Sequence, residues 1–278
     1  CIQFGCDWMA FLYASIAAII GMRVRAKCNE SGLNHYMGIA ISAFIATMLA
    51  WASTLLPAEW TSTPWHPLLA CALFIVPGVP LINFVDDMLD NYIQVGIVRA
   101  VNTLLMVSAM AFGIAFAVKL CSIGDFFPTI SMVPHHNYLE YAIAAAISAM
   151  GFSMIFNIQR RLLWVVAIGG IIAVCTRNFV NLGPSTNNIG LDMGLVIGSF
   201  SGSVLVSLIA IKAVHWFHVP NHVLTIPSVI PMIPGVLMYR MLFGLINMNV
   251  QSIDQVTPLM KAIESGVNSG LVIMCIAL

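Results

Sequence analysis

Charge is scarce along this chain. Only 8% of its 278 residues are Asp, Glu, Lys or Arg, against 60% hydrophobic, and the mean hydropathy is +0.96. A soluble domain carries about 25% charged residues, so a water-soluble globule is excluded. No charge falls between Glu30 and Glu59, between Glu59 and Asp86, or between Lys212 and Arg240. A surplus of either sign is missing as well, since 11 Lys+Arg meet 11 Asp+Glu. That removes the basic footprint a nucleic-acid surface needs. The 7 cysteines contain no C-x-x-C pair, which argues against metal or disulfide use and leaves them as small apolar packers. A signal peptide of the usual form is absent. The chain opens on Cys1 and a short hydrophobic fragment to Gly5; a truncated or processed chain is the expected reason, with a lipoprotein cysteine as the alternative.

What remains is a series of apolar stretches, each close to the roughly 20 residues that cross a bilayer. The spacing predicts spans at about 8–26, 35–56, 66–83, 95–119, 137–157, 162–179, 189–211, 222–246 and 253–278. The expected fold is an all-α membrane protein, a polytopic helical bundle with about nine transmembrane helices.

Two of those spans carry a Pro-Gly break, Val76-Pro77-Gly78-Val79 and Ile233-Pro234-Gly235-Val236, 157 residues apart. Proline removes a helix hydrogen bond and clashes with the preceding turn, and hydrocarbon offers no water to satisfy the released group. Interrupted spans at matching positions of two halves point to a transporter's binding site. Moving the first four spans along by the same offset lands each on a later span; 137–157 alone has no counterpart. We therefore expect two inverted five-helix repeats, with the first helix missing upstream of Cys1, divided as 1–134 and 135–278. The boundary lies in the Gly- and Pro-containing connection from Cys121 to Asn137, where His135 and His136 read as solvated. If the loop at 23–34 is cytoplasmic, Arg23, Arg25, Lys27, Arg160, Arg161 and Lys212 fall inside, while Lys119 and Arg177 fall near outer ends, in keeping with the positive-inside rule. Trp60 and Trp65 suit an outer interfacial belt.

Prolines 227, 231 and 234 share a helix face by their spacing. They should leave the carbonyls of Val223, Pro227 and Ile230 without donors, as Pro77 and Pro80 should for Leu73 and Val76. Such oxygens can take an ammonium group or a cation. The helix that restarts after each break offers N–H groups and a positive dipole end to a carboxylate. The candidate substrate-binding residues are Pro77, Gly78, Asn83, Pro231, Pro234, Gly235 and Tyr239. For proton coupling or charge pairing the candidates are Asp86, Asp87, Arg99, Arg240, Lys261 and Glu264, because charge inside a membrane is costly and turns to the bundle interior. Lys261 and Glu264, three apart, can pair along one face. Gly194, Gly198 and Gly202, with Gly266 and Gly270, give G-x-x-x-G steps that let helices approach closely. Asp86-Asp87-x-x-Asp90 could hold Mg²⁺ in an intramembrane prenyltransferase, but that chemistry needs a second acidic cluster. Asp192, Asp254 and Glu264 are too dispersed to form one.

Val76-Pro77-Gly78-Val79-Pro80-Leu81 with Gly96-x-x-Arg99, and Ile226-Pro227-Ser228-Val229-Ile230-Pro231-Met232-Ile233-Pro234-Gly235 with Tyr239, resemble the two membrane modules of the threonine/serine exporter (ThrE) family, fused here in one chain. In some bacteria the modules are separate subunits of a transporter linked to succinate export. The resemblance implies a ten-helix inner-membrane exporter, driven by the proton-motive force, that expels small hydroxylated amino acids. It also implies a soluble N-terminal domain and a first helix that this sequence does not contain. No catalytic residue, cofactor or metal is expected. The expected partners are the lipid bilayer, a small amino acid or carboxylate, protons, and a second copy of the chain as an option. A dicarboxylate exporter is the alternative within transport, where Arg99 and Arg240 would weigh more.

Overall fold

A computed structural model describes residues 2, 5–55, 63, 65–121, 136–184, 189–235, 237–238, 241 and 256–277. Among them every regular element is helical. The order is α1 (Trp8–Glu30), α2 (His35–Ala52), α3 (His66–Ala70), α4 (Gly78–Leu89), α5 (Ile93–Leu120), α6 (Tyr138–Ile155), α7 (Leu163–Asn181), α8 (Leu195–Phe217), α9 (Asn221–Val229) and α10 (Val256–Ala277). Single 3₁₀ turns follow α2, precede α7, and close the segments after α3 and α9. Among the described residues seven helices are long and apolar enough to cross a bilayer, and an eighth span appears if α3 and α4 with their break count as one. The continuation of the second broken span, and with it a ninth, lies mostly outside the described residues.

Local chemistry sets the ends of these helices. Asn34 accepts a hydrogen bond from the Tyr36 N–H at the start of α2, and Asn137 forms a reciprocal capping box with Glu140 at the start of α6. Gly32, Asn91 and Asn157 take left-handed φ values of 70°, 66° and 54° just past α1, α4 and α6. In each case the next N–H reaches back five residues, Leu33 to Cys28, Tyr92 to Asp87 and Ile158 to Ser153. This closes otherwise orphaned carbonyls as a Schellman stop does.

One boundary differs from expectation. The span placed at 189–211 is α8, Leu195–Phe217. Residues 189–194 instead fold back along the end of α7, where the N–H groups of Leu191, Asp192 and Met193 donate to the carbonyls of Phe179, Leu182 and Val180. Asp192 and Gly194 both have positive φ there, which no helix allows. His136 is a second correction. It is buried rather than solvated, its Nδ1 lies 2.6 Å from Glu140 Oε2, and it meets Tyr141 edge-on. His135 lies outside the described residues, as do Trp60 and the connection at 122–134.

The chain forms two compact units. The first comprises 1–77, 97–134 and 235–266; the second comprises 78–96, 135–234 and 267–278. The chain passes between the units five times, and two of those crossings fall at Pro77-Gly78 and Pro234-Gly235. In the first unit Ile39 and Ala43 of α2, Leu68 of α3 and Met110 and Ile114 of α5 form the core. In the second, Tyr141 of α6, Val174 of α7, Val206 of α8 and Met232 in the turn after α9 do so, joined by Val272 of α10 and Ile82 of α4.

Small residues set the spacing. A Cβ on Gly113 of α5 would strike the Ala40 carbonyl oxygen. One on Gly198 or Gly202 of α8 would lie 2.7 Å from the Arg177 carbonyl and 2.6 Å from that of Ala173. The glycines at 198 and 202 therefore pack backbone against backbone, as the G-x-x-x-G spacing implies. Gly194 does not take part: it is the N-cap of α8 and has open space around it.

Gly202→Val should push α8 off α7 and lower the thermal midpoint in detergent, at an overpacking cost of about 1–3 kcal/mol. Gly151→Ala in α6, where a Cβ meets nothing within 4 Å, should raise the midpoint by removing backbone freedom worth about 0.5–1 kcal/mol. Cys6, buried before α1, has its thiol pushed up to about 11 by burial. Maleimide at about pH 7.5 should therefore leave it unmodified until the chain is denatured, as mass spectrometry of the tryptic peptide would show.

Candidate functional site: two matched helix breaks

The two breaks have the same geometry at the same 157-residue offset. After α3, a 3₁₀ turn at Leu73–Ile75 closes with the Val76 N–H donating to the Leu73 carbonyl at 3.2 Å. Val76 then turns extended (φ −55°, ψ 121°), Pro77 follows, and α4 begins at Gly78. After α9, a 3₁₀ turn at Ile230–Met232 closes with the Ile233 N–H donating to the Ile230 carbonyl at 3.0 Å. Ile233 is extended (φ −60°, ψ 130°), Pro234 follows, and helical backbone resumes at Gly235. The residue before a proline is driven out of the α region by the ring's Cδ, which fixes Val76 and Ile233 as the joints. A tighter i→i+3 turn then accepts what the α-helix cannot continue.

That geometry corrects one expectation. The carbonyls of Leu73 and Ile230 are not left without donors, because the 3₁₀ turns supply Val76 and Ile233. What the first break does leave is the start of α4, whose first-turn N–H groups have no intrahelical acceptor. The positive end of its dipole starts at buried Gly78.

The breaks are interlocked. A Cβ on Gly78 would lie 2.9 Å from Ile233 Cδ1 and 3.6 Å from Ile230 Cγ2. A Cβ on Gly235 would lie 3.0 Å from Val76 Cγ2 and 3.4 Å from Leu73 Cδ2. Under the 157-residue offset Leu73 maps onto Ile230 and Val76 onto Ile233. Each glycine therefore sits on the joint and the turn-opening residue of the other break.

Of the residues proposed from sequence, Pro77, Gly78, Pro234 and Gly235 are buried, and Asn83 and Pro231 are half-buried. The second unit gathers Gly78, Asn83, Asp86, Asp87, Pro231 and Pro234. Asp86 and Asp87 lie half-buried in the last turns of α4, and Arg99 is exposed on α5. Lys261 and Glu264 are exposed on α10 and no ion pair joins them. The expected inward pairing is absent because α10 turns Ala262, Ser269 and Val272 inward instead. Tyr239 and Arg240 lie outside the described residues. Among the described residues no three His, Cys, Asp or Glu side chains gather where they could hold a metal ion.

Sequence reasoning passed over Arg177. It was read as an outer-end charge, yet its side chain is 8% exposed within the second unit. The available signal was its isolation as the sole charged residue between Arg161 and Asp192.

A multi-pass helical membrane protein with two matched breaks is the architecture these observations define. Two family descriptions together match most of it: "Putative threonine/serine exporter" over residues 1–121 and "Threonine/Serine exporter, ThrE" over residues 141–278. The chain belongs to the threonine/serine exporter family. Its relatives include a "Probable succinate transporter subunit YjjP" of Klebsiella aerogenes, 29% identical over 113 residues (41% of this chain and 43% of the relative). The protein of the same description from Escherichia coli K12 is 28% identical over 113 residues (41% and 44%). The chain spans less than half the length of these curated relatives. No solved structure matches it significantly.

Gly235→Ala should cost more than Gly78→Ala. The neighbours of Gly235 are the methyls of a β-branched valine with one preferred rotamer, whereas Gly78 faces the flexible end of an isoleucine. We expect a loss of about 1–3 kcal/mol for the former and less for the latter, read as thermal midpoints of the purified chain.

Proposed function

We propose that the chain exports small hydroxylated amino acids, threonine and serine, across the cytoplasmic membrane, as a transporter rather than an enzyme. It does so by alternating access around the breaks at Pro77-Gly78 and Pro234-Gly235, with residues 1–134 and 135–278 as oppositely oriented repeats. The matched, interlocked breaks carry this reading, because proline-interrupted helices at corresponding positions are where secondary transporters hold their cargo. The start of α4 offers its first-turn N–H groups to the hydroxyl, or to a second carboxylate, of the cargo. Asp86 and Asp87, half-buried on the same helix, are the proposed proton carriers, and one charge moved through 100 mV supplies about 2.3 kcal/mol. Asn83, Pro231 and Tyr239 are proposed to contact the substrate. Of the remaining charged candidates only Arg99 and Arg240 are proposed to balance charge during transport.

The second reading is export of a dicarboxylate, favoured by the succinate-transporter description of the two relatives. The same assay separates the two. Proteoliposomes would be offered labelled threonine, serine and succinate, with and without an imposed pH gradient; movement of none of them overturns both readings. Replacing Pro77-Gly78 or Pro234-Gly235 by Ala-Ala should abolish flux while membrane insertion persists, and unchanged flux removes the breaks from the mechanism. Asp86→Asn with Asp87→Asn should lower flux driven by the pH gradient.

A further inference from the structure

The second unit holds a group of buried donors that outnumber their acceptors. Arg177 on α7 is 8% exposed, and its Nε and Nη2 donate to the Oδ1 of neighbouring Asn178 at 3.2 and 3.0 Å. A guanidinium has five N–H groups and stays charged. Here a single neutral amide oxygen takes its two hydrogen bonds, and among the described residues no carboxylate pairs with it. Asp192, on the segment that folds back along α7, is exposed and forms no ion pair with it.

Asn178 is 3% exposed, and its Nδ2, with two N–H groups of its own, has no partner. Tyr141 on α6 is fully buried, lies within electrostatic range of Arg177, and uses its hydroxyl oxygen to accept from the His136 N–H at 3.3 Å. No acceptor for its O–H appears among the described residues. Three side chains thus present donors, one of them cationic, and the described residues supply one acceptor oxygen.

Burial without partners is costly for each of these groups. An unpartnered buried amide is costly and an unpaired buried charge far more so, so the arrangement asks for an anion. Position links it to the breaks. Arg177 and Asn178 lie one turn along α7 from Ala173 and Val174, which pack in the same core as Val229 and Met232 at the second break. Gly198 seats the α8 backbone against the Arg177 carbonyl, so the cation is carried on a packed helix.

We propose that Arg177, Asn178 Nδ2 and the Tyr141 hydroxyl form a binding site for the carboxylate of the transported solute. The proposal rests on the exporter reading and names the chemical class that reading must serve. Arg177 supplies the planar fork that pairs a carboxylate through two parallel N–H bonds. Amino acids and dicarboxylates share the feature recognised; a lipid phosphate would offer the same oxygens from another source.

The test uses the full chain in nanodiscs of zwitterionic lipid, so that no anionic headgroup competes. Binding of L-threonine, succinate and L-threonine amide is measured by calorimetry on wild type, Arg177→Met, Arg177→Lys and Asn178→Leu. Wild type should bind a carboxylate-bearing probe and not the amide. Arg177→Met should lose at least tenfold in affinity while keeping or raising the ligand-free thermal midpoint, since an unpaired buried cation has been removed. Asn178→Leu should weaken binding severalfold, and Arg177→Lys, which keeps the charge but not the fork, should fall between. Wild-type affinity in Arg177→Met, or equal binding of the amide, overturns the site. If Arg177→Met does not fold, Asn178→Leu decides alone, and unaltered affinity there overturns it. Stimulation only by vesicles containing phosphatidylglycerol, with no solute binding, also overturns it in favour of a lipid. Solute binding without flux in proteoliposomes would overturn the exporter reading and leave the site standing; flux indifferent to both substitutions would do the reverse.

Discussion

The inability of proline to donate a backbone hydrogen bond organises this structure. Pro77 and Pro234 each stop a helix inside apolar sequence, where a stranded carbonyl would have no water to meet it. The chain answers both times with one 3₁₀ turn, one extended residue and a glycine. Because Leu73 and Ile230 receive their donors locally, the interruptions are stable features. They create the orphan N–H groups at the start of α4, and they coincide with two of the five places where the chain leaves one unit for the other.

Around that constraint the packing follows a common membrane pattern. Helices whose outer faces meet lipid gain little by burying large apolar side chains, so close contact is made by small residues. Ala14, Ala17 and Gly21 are buried on α1, Ala43, Ala46 and Ala50 on α2, and Gly198 and Gly202 on α8. Large side chains such as Ile16, Ile19, Phe112, Phe116 and Trp216 point outward, the reverse of a soluble core and what a hydrocarbon surround favours. Against so apolar a background, the donors of Arg177, Asn178 and Tyr141 stand out as groups with a purpose other than packing.

Much of this was legible in the residues. The spans follow from hydropathy, the breaks from two Pro-Gly pairs in matching register, and the α7–α8 contact from the spacing of Gly198 and Gly202. The parts that escaped depend on three-dimensional context. That Val76 and Ile233 would donate to Leu73 and Ile230 is a matter of which turn the backbone chooses after a proline. The start of α8 slipped because Ile189 to Met193 is apolar enough to read as helix, yet two positive-φ residues hold it as a strap on α7. Lys261 and Glu264 were expected inward on cost alone, but the buried stripe of α10 runs through Ala262, Ser269 and Val272. Arg177 was misjudged because distance from a span's end says nothing about which face the side chain takes.

The exchange of glycines between the breaks has an evolutionary corollary. Gly78 rests on Ile230 and Ile233, and Gly235 on Leu73 and Val76, so neither copy of the motif contains its own complement. A bulkier residue at either joint would harm the opposite break first, and repair would have to arise there. Drift in one half is thereby tethered to drift in the other, six positions deep, and inheritance of one half without its mate would leave a glycine with nothing to lean on.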